Sequence, residues 1–292
     1  MKTEKRVIVA LDNMTLQEAG AMTELVMGEA AGVKVGFELL CDEGAKNIMA
    51  TLPAGASVFF DPKLNDIPKT AALAAKKLAR RGAWIINMHC SGGRPMMEAV
   101  RETVDEVWEK ERDKSGLTRK PLLLGVTILT SLDFNALDEI GLVSGKKCDE
   151  MLQQLRESER QAGIPMGDED IMLVKNQNKL VKAVVLRLAK LAQASGLDGV
   201  VCSALEASAI RAACGEDFQI VTPGIRLPDG KMDDQARVAT PAGAIEAGAN
   251  WLVIGRPVTQ AEDPKAALRL INQQVAEALA GEEMFTAHGW ED

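Results

Sequence analysis

Asp61-Pro62-Lys63-Leu64-Asn65-Asp66-Ile67-Pro68-Lys69-Thr70 packs four ionisable groups and a helix start into ten residues. It follows Val58-Phe59-Phe60, which reads as a short buried strand. Asp61 and Lys63 are two apart, so on an extended chain they point to one face, roughly 7 Å from each other. Asp66 stands just before Pro68, and proline suits the first turn of a helix, where its missing N–H is not needed. Behind it the Ala- and Lys-rich stretch 70–80 is strongly helix-forming. An acid, a base and a second acid therefore gather at the C-terminal end of a strand. Taken singly, Asp66 reads as an N-cap and the Asp61/Lys63 pair as a solvated ion pair. The combination of strand, alternating charge and helix start is what points to chemistry.

The same strand-then-helix unit recurs. Short β-rich apolar runs at 7–11, 33–37, 58–60, 84–88, 122–127, 199–202, 219–222 and 251–254 alternate with helical stretches, the pattern of a parallel sheet with crossover helices. Eight such units in 292 residues predict an α/β fold: a closed (β/α)8 TIM barrel, one domain over 1–292. The competing architecture is an open doubly wound sheet, but no G-x-G-x-x-G follows the first run. One segment departs from the pattern. About 70 residues separate the fifth and sixth runs, far more than a βα connection needs. The polar stretch 144–175, with a helical part at 148–161 and a break at Gly163-Ile164-Pro165-Met166-Gly167, reads as a helical insertion on the barrel rim. It is either a solvated excursion or a lid or partner surface.

Composition narrows the function classes. A net charge of -8 argues against nucleic acid or an anionic membrane as a bulk partner, so any anionic ligand must be held by a few local cations. No apolar run reaches membrane-spanning length, and the charged start Met1 to Arg6 does not read as a signal peptide. Cys41, Cys90, Cys148, Cys202 and Cys214 are scattered, odd in number and free of C-x-x-C spacing, as expected of reduced thiols in the cytoplasm. With only His89 and His288 in the chain, a His-based metal centre is not expected.

In a barrel of this type function sits at the C-terminal strand ends. Those ends carry Asp12, Lys34, the Asp61 to Thr70 motif, Asn87-Met88-His89, Thr130, Ser203 with Glu206, Arg226 and Arg256. The loops after strands seven and eight, with Arg226, Gln235, Gly255 and Arg256, are the expected phosphate site. Gly255 lets backbone N–H groups approach an anion, and Arg256 can hold it with two hydrogen bonds. Lys34, Asp61, Lys63 and Asp66 form the expected reacting end. Alternating signs at close range keep lysines protonated and carboxylates ionised, which leaves a lysine ammonium available as a general acid.

The D-x-K-x-x-D-I-x-x-T string after an apolar strand resembles the signature of the orotidine 5'-phosphate decarboxylase family, and matching segments run from about residue 7 to 264. The resemblance implies decarboxylation of orotidine 5'-monophosphate to uridine 5'-monophosphate without cofactor or metal. It makes Lys63 the proton donor to C6 of the pyrimidine and sets Asp61 against the substrate carboxylate. Asp12 and Lys34 match residues that hold the ribose hydroxyls, and Thr130 matches one at the pyrimidine. Gln235 and Arg256 match the phosphate grip, with the stretch from Arg226 to Gln235 closing over it. Family members are homodimers in which the residues matching Asp66 and Thr70 reach the partner's site. Two departures stand out: Asn65 where many bacterial relatives have His, and Pro62 between the paired charges. His89 resembles a family His but reads as a hydrogen-bonded structural residue; His288 lies in a polar tail.

Two other readings compete. A magnesium-dependent sugar-phosphate decarboxylase or aldolase of the same barrel group shares the D-x-K-x-x-D core. A catalytically silent phosphate-binding barrel would use the insertion as an interaction surface, but has no need of an intact Lys34, Asp61, Lys63, Asp66 set.

Overall fold

The structure, a computed structural model, describes residues 5–143, 177–226 and 239–287. The strands are β1 (Val7–Ala10), β2 (Gly32–Val35), β3 (Val58–Leu64), β4 (Ile85–His89), β5 (Leu122–Val126), β6 (Gly199–Val201), β7 (Gln219–Thr222) and β8 (Trp251–Ile254). They pair in sequence order, and β1 joins β8 in parallel, so the sheet closes on itself. All eight expected runs are strands. Several bounds shift by one or two residues; the largest change is at β3, which continues through Asp61 and Lys63 to Leu64, and Phe37 starts a helix instead of ending β2.

Side-chain alternation decides which residues face the barrel axis. Val7, Val9, Val33, Val35, Val58, Phe60, Ile86 and Met88 point outward into the apolar layer under the helices. Ile8, Ala10, Phe59, Ile85, Leu124, Val221 and Val253 form a separate inner cluster. The same parity turns Lys34, Asp61 and Asn87 inward, on top of that apolar floor.

At the opposite end Trp84 and Trp251 meet edge-to-face with centroids 5.1 Å apart, a favoured aromatic geometry. Arg119 lies over Trp84 and Arg6 over Trp251, at 5.4 and 5.9 Å. Gly32 is required there, because a Cβ would sit 2.6 Å from the Trp84 ring. The base of the barrel is thus filled by side chains.

The helices follow local signals. In α1 (Leu16–Val26) Thr15 and Glu18 form a reciprocal capping box. Helix α2 spans Phe37–Thr51, and α3 (Pro68–Ala79) begins with proline in its first turn, two residues earlier than the 70–80 expectation. Then come α4 (Gly93–Ser115), α5 (Phe134–Glu139), α6 (Gln177–Ala194), α7 (Ala204–Cys214), α8 (Pro241–Glu246), α9 (Arg256–Thr259) and α10 (Pro264–Ala287). Among the described residues no helix is long and apolar enough to cross a membrane. The expected insertion at 144–175 lies outside the described residues, as do Cys148, Gln235 and His288.

Candidate active site

The open mouth holds a cavity of about 790 Å³, within the size range of small-molecule sites. Asp12, Lys34, Asp61, Lys63, Thr130, Arg226, Gly255 and Arg256 all line it, over a floor that includes Ala10, Phe59, Val126, Val201 and Val253. Eight of the residues expected at the site are therefore in one cavity, delivered by β1, β2, β3, β8 and the segments that follow β5 and β7.

On one wall the charges alternate in direct contact. Lys34 Nζ lies 2.8 Å from Asp12 Oδ1 and 3.2 Å from Asp61 Oδ2. Lys63 Nζ lies 2.8 Å from Asp61 Oδ1. Asp61 is 6 % exposed and Lys34 8 %, whereas the side chains of Lys63 and Asp12 are 36 % and 49 % exposed. Along the series Asp12, Lys34, Asp61, Lys63, two half-open groups of opposite sign thus flank a buried pair.

Burial and pairing oppose each other at the centre. Burial alone pushes the Asp61 carboxyl up, but the Lys34 and Lys63 ammoniums and the hydrogen bonds from Lys63 and Asn87 outweigh it and hold Asp61 below the ordinary aspartate value. Burial alone pulls Lys34 down, but Asp61 and Asp12 outweigh it and hold Lys34 above the ordinary lysine value. Both groups therefore stay charged across the neutral range. A fixed carboxylate flanked by fixed ammonium groups can repel an anionic substituent on one side and supply a proton on the other.

The backbone under this wall is irregular. Phe60 pairs with Ile86 and Leu64 with Met88, so Asp61, Pro62 and Lys63 together stand opposite the single residue Asn87. Lys63 has φ +49°, a left-handed conformation uncommon for a residue with a side chain. Simple extended alternation, which the sequence suggested for Asp61 and Lys63, is replaced by a bulge that nevertheless delivers both side chains to the cavity.

Asp66 does not join the wall within its own chain. It is exposed, and its Oδ1 accepts the backbone N–H of Ile67 at 2.6 Å. The helix cap is Ile67, not Asp66. Thr70 is likewise exposed on the first turn of α3, and neither lines the cavity. Expecting all four charged groups around one centre fails for a geometric reason: beyond Leu64 the chain has left the barrel interior and turns outward into α3.

Arg226, Gly255 and Arg256, three of the residues expected to grip an anion, line the same cavity. Gly255 follows β8 and caps α9, whose first residue is Arg256 and second is Pro257. Ile225 bridges to Ala239: the Arg226 N–H donates to Ala239 O at 2.9 Å and the Ala239 N–H to Gly224 O at 3.3 Å.

Asn87, which the sequence places at a functional strand end without a role, gains one in the structure. It is 0 % exposed, donates from Nδ2 to Asp61 Oδ1 at 2.6 Å and accepts the Lys63 backbone N–H on Oδ1 at 2.9 Å. The signal was present as a lone amide in the apolar run Trp84-Ile85-Ile86-Asn87-Met88. His89, two residues on, is half-buried; burial first and the Lys63 charge second hold it below the ordinary histidine value, against the pull of Asp61. Among the described residues no group of three or more His, Cys, Asp or Glu side chains is placed to hold a metal ion.

Comparison with known proteins identifies the family of the chain. The family model described as "Orotidine 5'-phosphate decarboxylase / HUMPS family" matches residues 5–171 and 165–271. A protein of Chromobacterium violaceum named orotidine 5'-phosphate decarboxylase is 40% identical over 275 residues, covering 94% of this chain and 93% of that protein. One of the same name from Tolumonas auensis is 41% identical over 275 residues, covering 94% of this chain and 100% of that protein. The crystal structure of orotidine 5'-phosphate decarboxylase from Lactobacillus acidophilus superposes with a TM-score of 0.65 at 30% identity, covering 93% of this chain and 99% of that one.

Proposed function

The chain belongs to the orotidine 5'-phosphate decarboxylase / HUMPS family, and from that membership we infer that it converts orotidine 5'-monophosphate to uridine 5'-monophosphate and carbon dioxide. The observation that carries the assignment to this cavity is the contact series Asp12, Lys34, Asp61, Lys63 on one wall, with Arg256 lining the same cavity.

In the reaction as we propose it, the phosphate rests on Arg256 and Gln235 with Arg226 and Gly255 beside it. The ribose hydroxyls meet Asp12 and Lys34, and Thr130 contacts the pyrimidine. The substrate carboxylate then faces Asp61, whose charge adds a repulsion that departure of carbon dioxide relieves. The bond from C6 to the carboxyl carbon breaks, its electron pair stays on C6, and C6 takes a proton from the Lys63 ammonium. The Lys63 amine regains its proton from water. The fixed positive charges of Lys34 and Lys63 stabilise the carbanion as it develops, so this reading needs no cofactor.

We further propose a homodimer in the cytoplasm, with Asp66 and Thr70 completing the partner's site. The support is local: Asp66 and Thr70 are exposed beside Ile67, 67 % exposed, and Leu73, 51 % exposed, an apolar and polar mixture suited to an interface. The decisive assay follows the loss of orotidine 5'-phosphate absorbance with and without a chelator. Turnover indifferent to the chelator supports the reading; no turnover overturns it in favour of the magnesium-dependent sugar-phosphate alternative or a silent barrel, and turnover abolished by the chelator overturns the metal-free mechanism.

A further inference from the structure

We propose that Asn87 is the positioning residue of the reacting wall: a single amide that fixes both the carboxylate orientation of Asp61 and the backbone conformation that aims Lys63. The inference rests on the decarboxylase reading of the cavity.

At this point β3 and β4 exchange three residues for one. Asp61, Pro62 and Lys63 lie between the pairs Phe60–Ile86 and Leu64–Met88, with only Asn87 opposite them. A regular ladder cannot serve such a bulge, and its orphaned backbone groups need other partners. The Asn87 carbonyl takes over that duty by accepting the Lys63 N–H at 2.9 Å, at the one residue in the bulge whose φ is +49°. A non-glycine residue persists there only when its surroundings hold it, and this hydrogen bond is one such restraint.

The other end of the amide acts on the carboxylate. Nδ2 donates to Asp61 Oδ1 at 2.6 Å, on the same oxygen that faces Lys63 Nζ at 2.8 Å. Oδ2 is thereby left toward Lys34 Nζ at 3.2 Å. Rotating the carboxylate would break this division of one oxygen per lysine. The orientation of the amide follows from its partners, because a backbone N–H requires an acceptor and a carboxylate a donor. Asn87 is completely buried and does not line the cavity, so it acts through Asp61 and Lys63 and not on a ligand.

The test compares wild-type chain, Asn87→Ala and the isosteric Asn87→Asp, reading kcat and KM for orotidine 5'-phosphate, uridine 5'-phosphate affinity and far-UV circular dichroism. Alanine removes both hydrogen bonds; the introduced carboxyl keeps an acceptor for Lys63 and sets a like charge against Asp61. Asn87 bonds to Asp61 and to the Lys63 backbone and to none of the residues assigned to phosphate or ribose, so the expected result is a fall in kcat of about 100-fold in both variants, with KM and product affinity within about fivefold. A fall in kcat below about tenfold, or a loss of kcat matched by an equal loss of product affinity, overturns the role of Asn87. If Asn87→Ala does not fold, Asn87→Asp decides by the same limits, since its volume is unchanged. A wild-type chain without turnover overturns the decarboxylase reading itself, and is distinguished by that alone.

Discussion

Asp61→Ala tests the electrostatics of the wall through stability, without reference to any substrate. The substitution leaves Lys34, 8 % exposed, with Asp12 as its remaining counter-charge at 2.8 Å. Breaking a buried pair by removing one partner costs about 3–5 kcal/mol, and the surviving Asp12 contact places this case at the low end. Lys63, about a third of whose side chain meets solvent, adds under about 1 kcal/mol after screening. We therefore expect a loss of about 3 kcal/mol at neutral pH, which at a slope of about 3 kcal/mol/M moves the urea midpoint by about 1 M.

The pH dependence of that loss has a definite sign. In the native chain Asp61 lies below its unfolded value, so its contribution is present above about pH 4 and disappears as pH falls through the folded value. Lys34 lies above its unfolded value, so its contribution is present below about pH 10 and disappears as pH rises through the folded value. In Asp61→Ala burial is unchanged but one counter-charge is gone, so Lys34 sheds its proton at lower pH and the penalty is relieved. The stability gap should narrow between pH 7 and 10, measured by urea unfolding monitored by circular dichroism. A gap below about 1 kcal/mol at pH 7, or one that widens toward pH 10, refutes the reasoning.

Other perturbations address the rest of the site. Arg256→Ala should weaken uridine 5'-phosphate by roughly 10- to 100-fold, the range of a charge-assisted hydrogen bond, and leave uridine nearly unchanged in calorimetric titration; equal losses refute a phosphate contact. Gly36→Ala places a methyl into Asp12 Oδ1 and within 3.4 Å of Lys34 Nζ, so the half-open Asp12 must swing away; KM should rise more than kcat falls. Mixing inactive Lys63→Ala with inactive Asp66→Ala should restore roughly a quarter of native activity, because half the randomly exchanged dimers carry one intact site of two; no recovery refutes a shared site.

The fold was legible because barrel strands buried on both faces are short, apolar and regularly spaced, as at Val7–Ala10 and Trp251–Ile254. The site was legible for a related reason: polar residues at the C-terminal ends of such strands, Lys34 between Val33 and Val35 or Asp61 after Phe60, have no place in an apolar core unless they serve a ligand. What escaped depends on backbone detail. The bulge at Asp61 to Lys63 is set by the pairing of β3 with β4, a contact between residues some 24 apart that no local pattern announces. The role of Asn87 escaped with it, since that role exists only once the bulge is known. Asp66 was drawn into the wall by closeness in sequence, although the turn into α3 carries it to the surface.

The most direct measurement is the turnover of Lys63→Ala beside its affinity for uridine 5'-phosphate. Proton delivery to C6 is made only in the transition state, so kcat should fall by at least about 10²- to 10⁴-fold, with product affinity within about tenfold. Turnover at the native rate would contradict the account, because the proton would then come from a group other than the one Asp61 holds at 2.8 Å.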